Sequence, residues 1–272
     1  MPFDLLSPQL RVGLERAGFT QPTPIQAAVL PVALKGRDVV GLARTGSGKT
    51  AAFAWPLLAA VDVGQRRPQA LVMSPTRELA RQLTSVLRLL GAGLPGLRVV
   101  MLTGGTPSRE QQQSLAEGAH VVVGTPGRLL AHLRRARLHL AALKVLVLDE
   151  ADRMLDMGFE AEVLEVVGHA PVKRQTLLFS ATWPKEMATL SRAVQVQPVR
   201  LGEAEHLDAR VLRQSAILVE DRNRALAAVL AARPPCPTLV FCETRAQCRQ
   251  VCDFLTSRGA SALTLHGELE QR

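Results

Sequence analysis

Six short apolar runs recur through the first two-thirds of the chain: DVVGLA (38–43), QALVMS (69–74), RVVMLT (98–103), HVVVGT (120–125), KVLVLD (144–149) and QTLLFS (175–180). Most are continuous rather than alternating. That pattern marks strands buried on both faces of a parallel sheet. Between them RELARQLTSVLRLLGAG, SREQQQSLAEGA and PGRLLAHLRRA read as helices. Strand–helix repetition at this period predicts right-handed βαβ units, hence an α/β fold with a parallel sheet flanked by helices. Ligands of such sheets bind at the carboxyl ends of the strands. Each run here ends in small or polar residues: LARTG, SPTRE, TGG, GTPGR, DEAD and SAT. Six polar clusters are therefore expected along one edge.

Two of the clusters carry nucleotide chemistry. ARTGSGKT (43–50) follows the first run. The backbone amides of Thr45, Gly46, Ser47, Gly48 and Lys49, at a helix N-terminus, can cradle phosphates. Lys49 would reach the outer phosphates and Thr50 would hold Mg2+. The strict P-loop pattern has Gly where this chain has Ala43, but the core of the motif is intact. VLVLDEAD (145–152) puts three carboxylates at the end of an apolar strand. Acids that cap a helix where a strand emerges into solvent would look the same in isolation. The convergence of five other polar clusters on that edge favours a site. Asp149 would hold the Mg2+, partly through water, and Glu150 would orient and deprotonate the attacking water. Adjacent on an extended segment, the two would point apart, with Asp152 reaching another strand end.

Composition permits a polyanionic partner without requiring one. The formal net charge is +9, with 33 Lys and Arg. Only Lys35, Lys49, Lys144, Lys173 and Lys185 are lysines. Arginine binds phosphate in bidentate fashion, yet biased genomic composition also enriches it. The four cysteines, Cys236, Cys242, Cys248 and Cys252, lack a C-x2-C spacing, so reduced thiols and a cytoplasmic protein are expected rather than a metal knuckle. No apolar run reaches the roughly 18 residues of a membrane span. MPFDLLSPQL lacks the basic and apolar regions of a secretory signal, so no membrane association is expected.

A wider set of motifs gives the chain a family resemblance. GFTQPTPIQ (18–26), ARTGSGKT, PTREL (75–79), GG (104–105), TPGR (125–128), DEAD (149–152), SAT (180–182), VFCETR (240–245) and LHG (265–267) occur in one order across nearly its whole length. The chain resembles the DEAD-box ATP-dependent RNA helicases of superfamily 2. The resemblance implies a RecA-like P-loop NTPase domain, with ATP and Mg2+ as cofactors and RNA as partner. It implies catalytic roles for Lys49, Asp149 and Glu150. Gln26 would read adenine, Phe3 would stack on the base, and Phe19 and Gln21 would frame the pocket. Arg44, with 45–50, would complete ATP binding. Ser180 and Thr182 would hydrogen-bond Asp152 and couple the nucleotide to RNA. Pro75, Thr76, Arg77, Gly104, Gly105, Thr125, Pro126 and Arg128 would line a groove along one RNA strand through sequence-independent contacts. Arg77 has a rival structural role, an ion pair with Glu78.

The resemblance also sets expectations for organisation: a first RecA-like domain over 1–205, a linker over 206–212 within a polar stretch that begins near 200, and part of a second RecA-like domain over 213–272. The second series would contain strands QSAILV, PTLVFCE and SALTLHG, with helices near 222–233 and 245–258. The family motifs resembling A-R-G-x-D and H-R-x-G-R-x-x-R, whose arginines face the γ-phosphate, have no match here. The second domain is thus expected to be incomplete, its missing half lying in a full-length protein. ATP hydrolysis by this chain is expected near background. The alternatives are a non-catalytic RNA-binding module and a DNA-directed superfamily 2 helicase.

Overall fold

The computed structural model describes residues 2–203, 215–234 and 236–267. The linker expected over 206–212 lies outside them. The chain separates into two compact units, Met1–His206 and Leu207–Arg272.

In the first unit all six expected strands form: β1 Val39–Leu42, β2 Ala70–Met73, β3 Val99–Leu102, β4 Val121–Gly124, β5 Val145–Leu148 and β6 Gln175–Ser180. A seventh, β7 Val199–Gly202, pairs in parallel with β1 and takes residues the sequence assigned to the polar stretch near 200. VRLG alternates between half-buried and exposed positions. It is an edge strand held by one neighbour, so it lacks the continuous apolar signal of the others. The sheet is parallel throughout, in the order β3-β4-β2-β5-β6-β1-β7.

Among the described residues nine α-helices flank it: α1 Pro8–Arg16, α2 Pro24–Ala33, α3 Lys49–Ala59, α4 Arg77–Leu90, α5 Ser108–Ala116, α6 Pro126–Leu133, α7 Ala151–Asp156, α8 Glu160–Gly168 and α9 Lys185–Val194. The two sheet faces explain the unbroken apolar runs. Val145, Val147, Leu177 and Phe179 pack into one cluster with Leu30 of α2, Phe53 and Trp55 of α3 and Leu87 of α4. Their neighbours Leu146, Leu148 and Leu178 pack into the other, with Leu129 of α6, Met154 of α7, Val163 of α8 and Met187 of α9. A strand covered on both faces has no polar side to display. α4 shows the complementary pattern: Ala80, Leu83, Thr84, Leu87 and Leu90 are buried at helical spacing.

At the amino edge of this sheet a polar frame replaces apolar packing. The Asp38 carboxylate accepts from Thr176 N and Val196 N, both at 2.7 Å. Gln195 Nε2 donates to Val39 O and Thr176 O, both at 2.9 Å. These bonds hold β1, β6 and the approach to β7 in register, leaving the carboxyl edge free for chemistry.

In the second unit the described helices are α10 Arg222–Ala231 and α11 Arg245–Thr256, close to expectation. The three segments expected as strands have no strand pairing among the described residues. A strand exists through its ladder, and these extended segments have none. Leu218, Phe241 and Leu263 are correspondingly 102%, 92% and 97% exposed. The four cysteines are unpaired thiols. Among the described residues no helix is long and apolar enough to cross a membrane, and no cluster of His, Cys, Asp and Glu is arranged to hold a metal.

Candidate functional site

After β1 the chain turns sharply into α3, which begins at Lys49. The turn requires glycine where φ is positive, at Gly46 (82°) and Gly48 (89°). Arg44, Thr45 and Gly46 are exposed, and Ser47, Gly48 and Thr50 are half-buried. Lys49 is only 7% exposed, and its Nζ has no hydrogen-bond partner. Ser47 Oγ is likewise buried and unpartnered. Buried polar atoms are normally satisfied, because an unpaired one forfeits its hydration. A buried ammonium with no partner at a helix N-terminus fits an anion.

Opposite stands Asp149, 5% exposed at the end of β5. Burial pushes its carboxyl up to about 7; the Lys49 charge pulls it down, and Glu150 raises it further. A buried acid that resists ionisation alone is a donor suited to a dication. The donor set thus fits Mg2+ and a polyphosphate.

Glu150 departs from the extended segment expected of it. Its φ and ψ are 51° and 50°, in the left-handed region, and it caps α7. For a residue with a side chain that conformation costs on the order of 1 kcal/mol and typically marks a functional constraint. The turn, rather than strand alternation, separates the Glu150 and Asp149 side chains. Glu150 Oε2 accepts from Arg153 Nη1 at 2.8 Å. Arg153 is a site residue that motif reading passes over, although its i,i+3 spacing from Glu150 is the signal for such a pair.

Asp152, the third acid, lies in the first turn of α7. Its Oδ2 accepts from Thr182 Oγ1 at 2.8 Å, Thr182 N at 2.9 Å and Ala181 N at 3.2 Å. Burial alone would raise its pKa. The Thr182 bonds, with help from Arg153 N, outweigh burial and hold it below the usual value. Ser180 differs from expectation. Its single hydroxyl proton goes to Thr182 O at 2.7 Å rather than to the acid. Ser180 therefore braces Thr182, and Thr182 is the side-chain donor to Asp152.

Gln26 is fully buried on α2. Its Oε1 accepts from Thr23 N at 3.0 Å and its Nε2 donates to Gly48 O at 3.1 Å. It thus ties the 18–26 segment to the phosphate loop. A side-chain amide has two donors and two acceptor lone pairs, so one of each remains for a ligand. Phe3 and Phe19 pack edge-to-face on Trp55, with centroids at 5.1 and 5.4 Å. Phe3 is 8% exposed, a member of the apolar cluster. Gln21 is exposed.

The remaining clusters gather on the other half of the sheet. Pro75 is buried at the end of β2, and Thr76 caps α4, its Oγ1 accepting from Leu79 N at 3.2 Å. Exposed Arg77 lies over the turn after β3: a Cβ on Gly104 or Gly105 would stand 2.8 or 2.6 Å from its guanidinium. Among the described residues Arg77 forms no ion pair with Glu78. Thr125 and buried Pro126 start α6 after β4, and Arg128 Nη2 donates to Thr106 O at 3.3 Å. Both arginines thus lean on the loop after β3. The strand order places the acids and phosphate loop on β5, β6 and β1, and the PTRE, GG and TPGR clusters on β3, β4 and β2.

Residues 23–190 match the DEAD/DEAH box helicase family. The chain belongs to this family. It is 45% identical over 272 residues to the ATP-dependent RNA helicase DbpA of Escherichia coli, covering 99% of this chain and 59% of that protein. To the ATP-dependent RNA helicase DeaD of Mycobacterium tuberculosis it is 41% identical over 267 residues, 98% of this chain and 47% of that one. The chain therefore spans about half of these helicases' length. Among solved structures, a DEAD box protein from the hyperthermophile Methanococcus jannaschii superposes with a TM-score of 0.70 at 34% identity, over 98% of this chain and 72% of that one. The first unit is thus the RecA-like α/β fold of DEAD-box proteins.

Proposed function

We propose that this chain is the ATP- and RNA-binding part of an ATP-dependent RNA helicase, an RNA-stimulated ATPase that locally unwinds or remodels RNA. The observation that carries the reading is Lys49 Nζ, buried without a partner near a buried, reluctantly ionised Asp149. Lys49 would bind the outer phosphates of ATP, with Arg44 and the amides of 45–50 around them. Thr50 and Asp149 would hold Mg2+, which when bound neutralises phosphate charge. Glu150, kept in place by Arg153, would position and deprotonate the attacking water. Asp152, held by Thr182 and braced through Ser180, would transmit nucleotide state toward the RNA half of the sheet. There Pro75, Thr76, Arg77, Gly104, Gly105, Thr125, Pro126 and Arg128 would follow one strand through its backbone. We read 1–205 as the first RecA-like domain and 213–272 as part of a second, in a cytoplasmic protein.

Gln26, with Phe3, Phe19 and Gln21 nearby, would select adenine: its free lone pair accepts from the base's amino group and its free proton goes to the ring nitrogen. Gln26→Ala is expected to reduce the preference for Mg·ADP over Mg·GDP about tenfold, the worth of one or two neutral hydrogen bonds. Calorimetric titration with both nucleotides measures it; an unchanged ratio removes Gln26 from base recognition.

A non-catalytic role for these residues alone is favoured by one observation: the two arginine motifs that would face the γ-phosphate have no match in the sequence. ATP turnover by this chain is accordingly expected near background, with or without single-stranded RNA. A phosphate-release assay checks it, and robust RNA-stimulated turnover would contradict it. Stimulation by DNA and not RNA would favour the DNA-directed alternative.

A further inference from the structure

At the opposite edge of the first sheet, the residues leading into β2 and β5 and the end of α5 enclose a cavity of about 430 Å³. Its rim carries Arg66, Arg67, Arg137 and His139, and its floor includes Leu115 and Leu138. Among the described residues no carboxylate lines it. Arg137 Nη1 donates to Ser108 Oγ at 3.0 Å, and Arg66 and Arg67 form no ion pair among the described residues. Two acids on flanking segments, Asp62 and Glu117, are already engaged. Asp62 accepts from Gly64 N at 2.9 Å and Gln65 Nε2 at 2.8 Å, and Glu117 pairs with Arg98 at 2.7 Å.

The loop that presents the arginines is built rather than loose. Fully buried Gln69 donates to Asp62 O at 2.7 Å and Gln65 O at 2.9 Å, and accepts from Asp62 N at 3.0 Å. His120, whose Nδ1 accepts from Arg98 N at 2.9 Å, lies 3.1 Å from Val63 O through Nε2 and so donates there. Arg66 packs on Gly118, where a Cβ would stand 2.9 Å from the arginine's own Cβ. Such a framework holds unneutralised guanidinium groups together, an arrangement that repels itself unless an anion is present.

We propose that this pocket is a second binding site for single-stranded RNA: its arginines take backbone phosphates, and the Leu115–Leu138 floor takes the face of a base or ribose. Guanidinium forks match phosphate oxygens, and a positively charged groove that tracks the backbone is how single strands are gripped without sequence preference. The pocket lies behind β2, β4 and β5, on the half of the sheet that carries the PTRE, GG and TPGR clusters. Four-residue strands set the two edges only about 13 Å apart before loops are added. One strand leaving the groove can reach it. This proposal rests on the RNA reading of the carboxyl edge.

The test is fluorescence anisotropy with the whole chain and two labelled oligouridylates, one short enough to fill only the groove and one longer. Arg66→Glu with Arg67→Glu is expected to weaken the longer RNA about tenfold or more and to lower its salt slope by about 1.4, the value for two single-strand phosphates. The short RNA should bind as before. Arg66→Lys with Arg67→Lys should retain the salt slope, showing that charge and not folding is read. Unchanged binding of the longer RNA would overturn the proposal while leaving the groove intact, provided Arg77→Ala with Arg128→Ala weakens both lengths. No binding of either RNA by the unmodified chain would overturn both readings. Polyglutamate binding lost in the charge-reversed chain, with RNA binding unchanged, would assign the pocket to an acidic protein and sink the proposal.

Discussion

Replacing Lys49 with Ala is expected to weaken Mg·ATP binding by about 3 kcal/mol, on the order of 100-fold in Kd. This is the usual cost of truncating one partner of a buried charged hydrogen bond. Lys49 Nζ is buried and makes no hydrogen bond within the protein, so its hydrogen bonds remain to be made to a phosphate. Its loss also acts on Asp149. The Lys49 charge is the main influence lowering that carboxyl against burial, and without it the acid holds its proton to higher pH. Binding by the variant should therefore recover less as pH rises than binding by the unmodified chain. Calorimetric titration at two pH values reads both effects. Equal affinity in the two proteins would remove Lys49 from the phosphate site.

Asp149→Asn is expected to stabilise the fold. The Asp149 pKa is raised from 3.8 to about 7, chiefly by burial. Between those values the folded chain keeps a proton that the unfolded chain has released. Stability therefore falls as pH rises through that window, by at most about 1.4 kcal/mol per pH unit from this group and about 4 kcal/mol in all. Asparagine carries no such cost. The variant should be more stable than the parent above pH 7, by up to about 4 kcal/mol, with the difference vanishing near pH 4. Urea unfolding at both extremes measures it. A variant less stable than the parent above pH 7 would show that the carboxylate is satisfied by the protein itself. The same substitution should abolish the Mg2+ dependence of nucleotide binding, so that stability and Mg2+ response move in opposite directions.

The sequence revealed most where one physical signal dominated. Strands buried on both faces, such as Val145–Leu148, announce themselves as unbroken apolar runs, and their polar ends fall along one edge of the sheet. β7 escaped because an edge strand needs only one covered side and one ladder partner, and Val199–Gly202 alternates. The segments around Leu218, Phe241 and Leu263 carry the apolar signal of strands, yet pairing depends on neighbours that a local pattern does not encode. At the candidate site, the motifs pair Asp152 with Thr182, a contact the structure contains. Hydrogen-bond directions were not legible: Ser180 spends its one proton on Thr182 O, and Gln26 has half of its amide already committed to Thr23 and Gly48. The left-handed turn at Glu150 was hidden because Glu is rarely found there, and Arg153 because no motif carries it.

The account's central claim is that Lys49 and Asp149 form one site for a nucleotide polyphosphate and Mg2+. Its most direct test is calorimetric titration of this chain with ADP, with and without Mg2+, beside Lys49→Ala and Asp149→Asn. The expected result is binding that Mg2+ strengthens in the parent, that is weakened on the order of 100-fold in Lys49→Ala, and that no longer responds to Mg2+ in Asp149→Asn. Binding equal in all three proteins, or indifferent to Mg2+ in the parent, would contradict it.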